Sequence, residues 1–367
     1  MRDLIVHDDD LIVATHGRSF WILDDITPLR QLSADMQARD AFLFKPSAAY
    51  RVRRSTNTDT PIPPDEPTAQ NPPDGAVVDY FLPQGVNGAV ALEILDAQGK
   101  VVRRYASTDK LEPSEEDLAK QLIPLYWVRM PKALPAGAGM HRWVWDLHYS
   151  RPVSPRYEYP ISAVPGDTPR VPQGPLALPG PYTAKLTVNG RAYSQSLTVK
   201  KDPRVKTPDD GLSQMFQMES RLAAIMTDSS RSLGEARSAR DQLQKLTGPG
   251  RGQVADAISS AETKVAAVLG AEGPRGGDSA ARATLTAVSA AIGALYAELG
   301  RADATPTLAQ HNAATETENR FAEAMKQWAT WKQTDLPALN QQLRGANLSE
   351  IRLDDTLPED DDSEDIE

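Results

Sequence analysis

The distribution of proline limits the fold of this chain more than any other feature. By count, 23 of its 29 prolines lie at or before Pro203. A proline inside a helix costs about 3 kcal/mol, so long helices are excluded from the first part of the chain. The sequence therefore predicts a multidomain protein in which β-structure comes first and helices follow. Its 367 residues are enough for two or three domains at roughly 150 residues each.

The chain opens with three short apolar runs separated by turn residues. The runs are residues 3–7, 11–15 and 20–24, and Asp8-Asp9-Asp10 and His16-Gly17-Arg18-Ser19 separate them. This pattern predicts an antiparallel meander. Three strands alone bury little surface, and the third run is apolar on both faces, so other sheets should pack on it. We therefore expect residues 1–32 to be poorly stable alone.

Residues 41–205 are predicted to form an immunoglobulin-like or fibronectin-like β-sandwich without the usual cysteine pair. A strand is expected over Ala41 to Arg53, followed by an exposed loop over residues 55–75. Further strands recur from Ala76 to about Lys201. The pair Asn189-Gly190 is a strong hairpin signal, because both residues tolerate the positive φ of a type I′ turn.

Residues 206–348 are predicted to form an antiparallel four-helix bundle. The first helix begins after Thr207-Pro208 and ends at the glycine-rich segment 247–252, and a second is marked by residues 254–269. A third is expected to start near Asp278. The fourth should open at Thr305-Pro306 and break or kink before Pro337. Residues 349–367, with nine carboxylates between Asp354 and Glu367, are expected to form a disordered acidic tail.

Composition excludes several functional classes. The acidic tail accounts for almost the whole net charge of -10, and no basic stripe suits nucleic acid. No apolar run approaches the roughly 20 residues of a membrane span. The chain has no cysteine, and its five histidines lack the HExxH spacing, so we predict neither a metal site nor a cofactor. The N-terminus lacks the pattern of a signal peptide and starts abruptly in a strand, which suggests an incomplete unit.

Two sets of residues are candidates for a site. Asp24, Asp25 and Asp146 could serve as glycosidase carboxylates, but the sequence selects no pair among them, and such residues more often cap turns. Trp143 and Trp145 share one face of an alternating strand. They could stack on sugar rings if that face is exposed, whereas burial in a sandwich core is the more ordinary outcome. The glycine-rich segments 247–252 and 272–278 are interpreted as connectors rather than phosphate loops.

The order of motifs resembles the C-terminal region of BNR-repeat, sortilin-like β-propeller proteins, which are often labelled glycosyl hydrolases. The resemblance rests on RDLIVHDDDLIVATHGRSFWILDDITPLRQL, which runs to Leu32, and on five later segments: Gln70 to Pro83, Leu92 to Tyr105, His141 to Tyr149, Pro179 to Gly190 and Lys201 to Thr207. It implies a large bacterial, extracytoplasmic protein in which one or two propellers precede a sandwich and helices. It also implies that residues 1–40 are a remnant of the last β-propeller blade with its linker. The Asp-box pattern S-x-D-x-G-x-x-W does not occur, so no site residue is carried over.

The leading functional hypothesis is a non-catalytic structural or interaction region whose partner is an upstream propeller or another protein. Positive signals for packing elements, together with the lack of convergent catalytic groups, favour it. Two alternatives remain open. The chain could be the accessory part of a propeller glycosyl hydrolase, or a carbohydrate-binding sandwich that holds a glycan through Trp143 and Trp145.

Overall fold

A computed structural model describes residues 2–33, 41–53, 65–66, 69, 71–86, 88–120, 123–160, 164–246, 254–270 and 283–353. The chain has mixed β and α content and divides into two compact units. The first unit contains residues 1–150 and 159–206, and the second contains residues 151–158 and the helices that follow residue 207. The short segment Arg151–Glu158 thus groups with the helices, although sequence analysis assigned it to the β domain.

The three opening strands form a separate antiparallel sheet in the first unit. They are β1 (Asp3–His7), β2 (Asp10–Ala14) and β3 (Phe20–Leu23), and β2 lies in the middle. Asp8 and Ser19 adopt positive φ in the two connecting turns. Polar turn residues thus end each apolar run, and the predicted meander is confirmed.

Two further sheets share one hydrophobic core in the same unit. A three-stranded sheet has the order β4-β6-β9, and a five-stranded sheet has the order β5-β11-β10-β7-β8. Their strands are β4 (Phe42–Leu43), β5 (Ala49–Arg51), β6 (Ala76–Leu82), β7 (Val90–Leu95), β8 (Val101–Ala106), β9 (Gly139–Trp145), β10 (Gly180–Val188) and β11 (Arg191–Lys201). We call these two sheets and their connections the two-sheet domain. A short helix, α1 (Thr27–Arg30), precedes β4, while α2 (Glu115–Ala119) and a 3₁₀ turn (Leu125–Trp127) lie between β8 and β9.

Local sequence explains most of these strands. Asn189 and Gly190 both have positive φ between β10 and β11, so the predicted hairpin is confirmed. The single strand expected over Ala41 to Arg53 is instead two strands in different sheets. Pro46 lies between them and has no N–H group for a ladder, which explains the interruption.

The second unit is built from helices around their own hydrophobic core. They are α3 (Asp209–Leu246), α4 (Ala255–Leu269), α5 (Leu285–Leu299), α6 (Leu308–Thr330), a π-helical segment (Trp331–Asp335) and α7 (Leu336–Gly345). Thr284 caps α5 through its side chain, which accepts from the Ala287 N–H, so α5 begins later than the predicted start near Asp278. Thr307 forms a capping box with Gln310 at α6. The π-helical segment lies where the sequence predicts a break or kink before Pro337.

Several sequence-based predictions lie outside the described residues. These include most of the loop over residues 55–75, the glycine-rich segments 247–252 and 272–278, and the acidic residues from Asp354 onward. Among the described helices, none has the length and apolar character required to cross a membrane.

Candidate functional site

The sheet β1–β3 presents two apolar faces. Side chains of successive residues in a strand point to opposite faces, and the cross-strand register therefore assigns each residue to one face. The first face consists of Leu4, Val6, Leu11, Val13, Trp21 and Leu23. The second face consists of Ile5, Ile12, Ala14, Phe20 and Ile22, with Asp3, His7 and Asp10 at its ends. Such a pattern is typical of a sheet that is packed on both sides.

The large side chains of β1 and β3 are exposed to solvent on both faces, whereas those of the central strand β2 are partly buried. On the first face Trp21 is 65% exposed, and on the second face Phe20 and Ile22 are 74% and 58% exposed. Single exposed apolar residues are ordinary, but contiguous apolar patches mark interaction surfaces. No described part of the chain buries either face, as expected from the sequence for strands that lack packing partners.

Both edges of this sheet are also unprotected. Strands β1 and β3 each pair with β2 alone, and neither contains Lys, Arg or Pro. The four edge strands of the two-sheet domain differ, because β8 carries Arg103 and Arg104, β9 carries Arg142, and β4 and β5 are only two and three residues long. Charged and short edges prevent unwanted strand pairing. The sheet β1–β3 therefore combines two open faces with two edges able to pair with another strand.

The two tryptophans proposed for carbohydrate binding belong to the two-sheet domain. Trp145 is fully buried, packs edge-on against Tyr182 with ring centroids 5.2 Å apart, and donates its indole N–H to the His148 carbonyl at 2.9 Å. Trp143 is partly buried, and its ring centroid lies 4.9 Å from that of Tyr105. Trp145 has no free ring face for a sugar, so this geometry favours the core role for the pair.

Of the three candidate residues, Asp25 and Asp146 make local contacts through their carboxylates and Asp24 through its backbone. Asp25 accepts hydrogen bonds from the Thr27 backbone and hydroxyl groups at 3.0 and 2.6 Å. Asp146 accepts from Arg129 at 3.3 Å and from the His148 backbone N–H at 3.2 Å. Asp24 contributes its backbone carbonyl to Arg142 at 2.8 Å. None of these contacts forms the facing pair of carboxylates that glycoside hydrolysis requires.

The electrostatics around Asp146 also differ from those of a general acid. Burial by itself would raise the pKa of Asp146, but the positive charges of His148, Arg103 and Arg129 outweigh it and hold the pKa below its usual value. A glycosidase acid needs the opposite shift. Burial also lowers the pKa of His148, against the opposing attraction of Asp146. This charged cluster thus stabilises the end of β9 rather than supplying a proton.

A shallow pocket of about 320 Å³ lies among the described helices, and Trp331, Lys264 and Asp335 help to line it. Lys264 and Asp335 form an ion pair at 2.5 Å across it. Trp331 stacks on Trp328 with ring centroids 4.9 Å apart and an interplanar angle of 7°. The Trp328 indole N–H donates to Glu235 at 2.9 Å. Lys264 thus pairs with Asp335 and Trp328 with Glu235, while the buried indole N–H of Trp331 has no hydrogen-bond partner among the described residues. These groups do not converge on a common point where a substrate could react.

No group of three or more His, Cys, Asp or Glu side chains able to hold a metal ion occurs in the described part of the chain. In comparisons with known proteins, no family model matches this sequence, and no significant match was found among curated proteins or solved structures. The exposed sheet β1–β3 therefore remains the feature that points most directly to a role.

Proposed function

We propose that this chain is a non-catalytic structural and interaction region of a sortilin-like, BNR-repeat propeller protein. In this proposal β1–β3 is part of a propeller blade, the two-sheet domain is an immunoglobulin-like or fibronectin-like sandwich, and the helices form an antiparallel four-helix bundle. We also propose, from the resemblance of the sequence to that family, that the protein lies outside the cytoplasm. The single observation that carries the proposal is the exposure of both apolar faces of β1–β3.

Two open faces restrict the kind of partner. A symmetric dimer uses the same patch on both copies, so stacking of one face on its copy would leave the opposite face in water. Insertion between two other sheets covers both faces at once. Blades of a β-propeller have this arrangement, because each blade packs between its two neighbours around the central channel.

The free edges favour the same kind of partner. A propeller blade typically has four strands, whereas the sheet here has three. A fourth strand added at β1 or β3 would pair the N–H and C=O groups that now face outward. The partner is thus a β-sheet protein that offers two apolar sheet faces and one strand, and it lies outside residues 1–367.

Site-specific photocrosslinking in the native cell tests this proposal. A benzophenone amino acid replaces Trp21 to sample the first face or Phe20 to sample the second, and Tyr50, which is 51% exposed in the two-sheet domain, serves as the matched aromatic control. Crosslinked peptides are then identified by mass spectrometry. We expect Trp21 and Phe20 to label strands of two different propeller blades, and Tyr50 to label neither.

Two results would reject the proposal. In the first, both positions label only a second copy of this chain, which would make the sheet a self-association surface. In the second, both positions label this chain's own helices, which would mean that the faces are covered internally. A glycan-array signal lost in Trp143→Ala would instead favour the carbohydrate-binding alternative.

A further inference from the structure

The segment 24–31 connects the sheet β1–β3 to the two-sheet domain, and it is fastened to the sheet at one end. The Ile26 N–H donates to the Asp9 carbonyl at 2.7 Å, and the Asp25 N–H donates to the Asp10 carboxylate at 3.0 Å. Arg30 donates to the Asp9 carboxylate at 2.5 Å and to the Asp8 carbonyl. All these contacts reach the turn between β1 and β2, so the sheet is held by one end of its strands.

The same segment is fastened to the two-sheet domain on its other side. The Gln31 side chain bonds both backbone groups of Lys45, donating to its carbonyl at 3.1 Å and accepting from its N–H at 2.8 Å. The Ser47 hydroxyl donates to the Asp25 carboxylate at 3.2 Å. Lys45 and Ser47 lie between β4 and β5, so these bonds join the segment to the edge of the domain.

We call segment 24–31 and its contacts on both sides the joint. Arg142 in β9 supplies the charged contact of this joint. Its guanidinium donates to both carboxylate oxygens of Asp79, at 2.9 and 3.1 Å, and to the backbone carbonyls of Asp24 and Asp25, at 2.8 and 2.9 Å. Asp79 lies in the neighbouring strand β6, directly opposite Arg142, and its side chain is only 7% exposed. The buried carboxylate therefore holds the guanidinium in the orientation in which its remaining N–H groups reach the end of β3.

We infer that Arg142 is a positioning residue that, held by Asp79, fixes the angle between the sheet β1–β3 and the two-sheet domain. A guanidinium is a planar fork that can bond a carboxylate with one edge and two carbonyls with the other. A lysine ammonium is a single point on a flexible stem and cannot hold both partners in one plane. Any protein that binds β1–β3 would consequently hold the two-sheet domain in a set direction.

This inference does not depend on the identity of the partner, because the joint lies within one compact unit of the isolated chain. It can therefore be tested on the purified full chain. The sequence contains no cysteine, so two introduced cysteines can be spin-labelled specifically without first replacing any native cysteine. Arg18→Cys in the β2–β3 turn and Gln98→Cys in the β7–β8 turn place one label on each side of the joint.

Electron–electron double resonance then measures the distance between the two labels. We expect one narrow distance distribution in the native background and loss of that single narrow peak in Arg142→Lys and in Asp79→Asn. The control is Arg129→Lys, because Arg129 also pairs with two aspartates, Asp146 and Asp167, within the same unit. That variant should leave the distance peak unchanged, even if it lowers the unfolding midpoint.

The inference is wrong if the peak stays narrow in Arg142→Ala, since the other contacts would then suffice to fix the angle. It is equally wrong if the native background already gives a broad distribution. A general loss of structure is recognised separately, because circular dichroism would then change in parallel with the distances. Broadening in Arg129→Lys as strong as in Arg142→Lys would also contradict a specific role for Arg142.

Discussion

Two three-stranded sheets in the same compact unit have opposite surroundings. In β4-β6-β9, the side chains of Val78, Tyr80 and Trp145 are fully buried in the core shared with the five-stranded sheet. In β1-β2-β3, Trp21 and Phe20 are mostly exposed. Both sheets are apolar and antiparallel, so strand composition alone does not distinguish them. The difference lies in whether the covering sheet belongs to the described chain.

Apolar residues on both faces of a strand therefore indicate that both faces are to be buried, but they do not indicate which sheet buries them. One face of β4-β6-β9 meets the five-stranded sheet, while the Asp79–Arg142 pair joins β6 and β9. For β1–β3, the two faces read from the register have no such neighbour among the described residues. Substitutions at covered positions should therefore lower the free energy of unfolding much more than substitutions at uncovered positions.

The largest difference is expected between two tryptophans. Trp145→Ala removes a fully buried ring and should lower the free energy of unfolding of the first unit by about 3–5 kcal/mol. Trp21→Ala removes a ring that is 65% exposed and should change it by no more than about 0.5 kcal/mol. Urea unfolding monitored by circular dichroism measures both. Equal losses would show that Trp21 is covered in solution.

A pair of glycines gives the next effect. Gly75 and Gly17 both have positive φ, but a Cβ on Gly75 would lie 2.1 Å from the Trp145 carbonyl oxygen, whereas nothing lies within 4 Å of one on Gly17. Gly17→Ala should cost about 1–2 kcal/mol from backbone strain alone. Gly75→Ala adds a steric clash with the backbone of β9 and should cost clearly more. Thermal denaturation compares them, and a smaller cost at Gly75 would contradict the close packing of the covered sheet.

A pH-dependent effect is expected from His148. Burial lowers its pKa in the folded state below the ordinary value of 6.5, so the unfolded chain binds more protons as the pH falls through that value. The free energy of unfolding should therefore be highest above about pH 6.5 and decrease on acidification. His148→Gln should reduce this dependence. Denaturation curves between pH 7.5 and 5.5 provide the measurement, and a slope in His148→Gln identical to that of the native chain would reject the assignment.

The smallest effect on stability is expected for charges placed on the exposed faces. Phe20→Lys should alter the free energy of unfolding by no more than about 0.5 kcal/mol. It should nevertheless reduce binding of a hydrophobic dye, because it interrupts the second face. The exposed Tyr50→Lys is the matched control and should leave dye binding unchanged. Unchanged dye binding in Phe20→Lys would argue that this face is not open in solution.

Much of the secondary structure could be predicted from the sequence. Turn residues such as Asn189-Gly190 and the apolar runs of β1–β3 specify their own local geometry. The helix caps are only partly predictable from the sequence. Thr284 and Thr307 cap α5 and α6, whereas the sequence predicts helix starts near Asp278 and at Thr305-Pro306. Pro46 by itself does not predict that the expected strand divides into β4 and β5. That division depends on the pairing of β4 with β6 and of β5 with β11, which are distant in sequence.

For the candidate site, the sequence predicts only that other sheets should pack on β1–β3. The continuous apolar run at residues 20–24 predicts two apolar faces, and the structure adds their exposure and the free edges. The contacts of Arg142 could not be predicted, because Asp79, Asp24 and Asp25 are all distant from Arg142 in sequence and meet it only through the tertiary fold. The alternation that puts Trp143 and Trp145 on one face of β9 leaves Arg142 on the other face, and it carries no information about the partners of Arg142.

Hydrogen exchange of the isolated chain tests whether the packing partners of β1–β3 lie outside this chain. If the partners of β1–β3 lie outside residues 1–367, amides of residues 3–23 should exchange much faster than those of β6 and β10, and by local opening rather than global unfolding. Mass spectrometry of peptides from both regions gives the comparison in one experiment. Slow exchange of residues 3–23 in a single cooperative transition with β6 and β10 would contradict the claim.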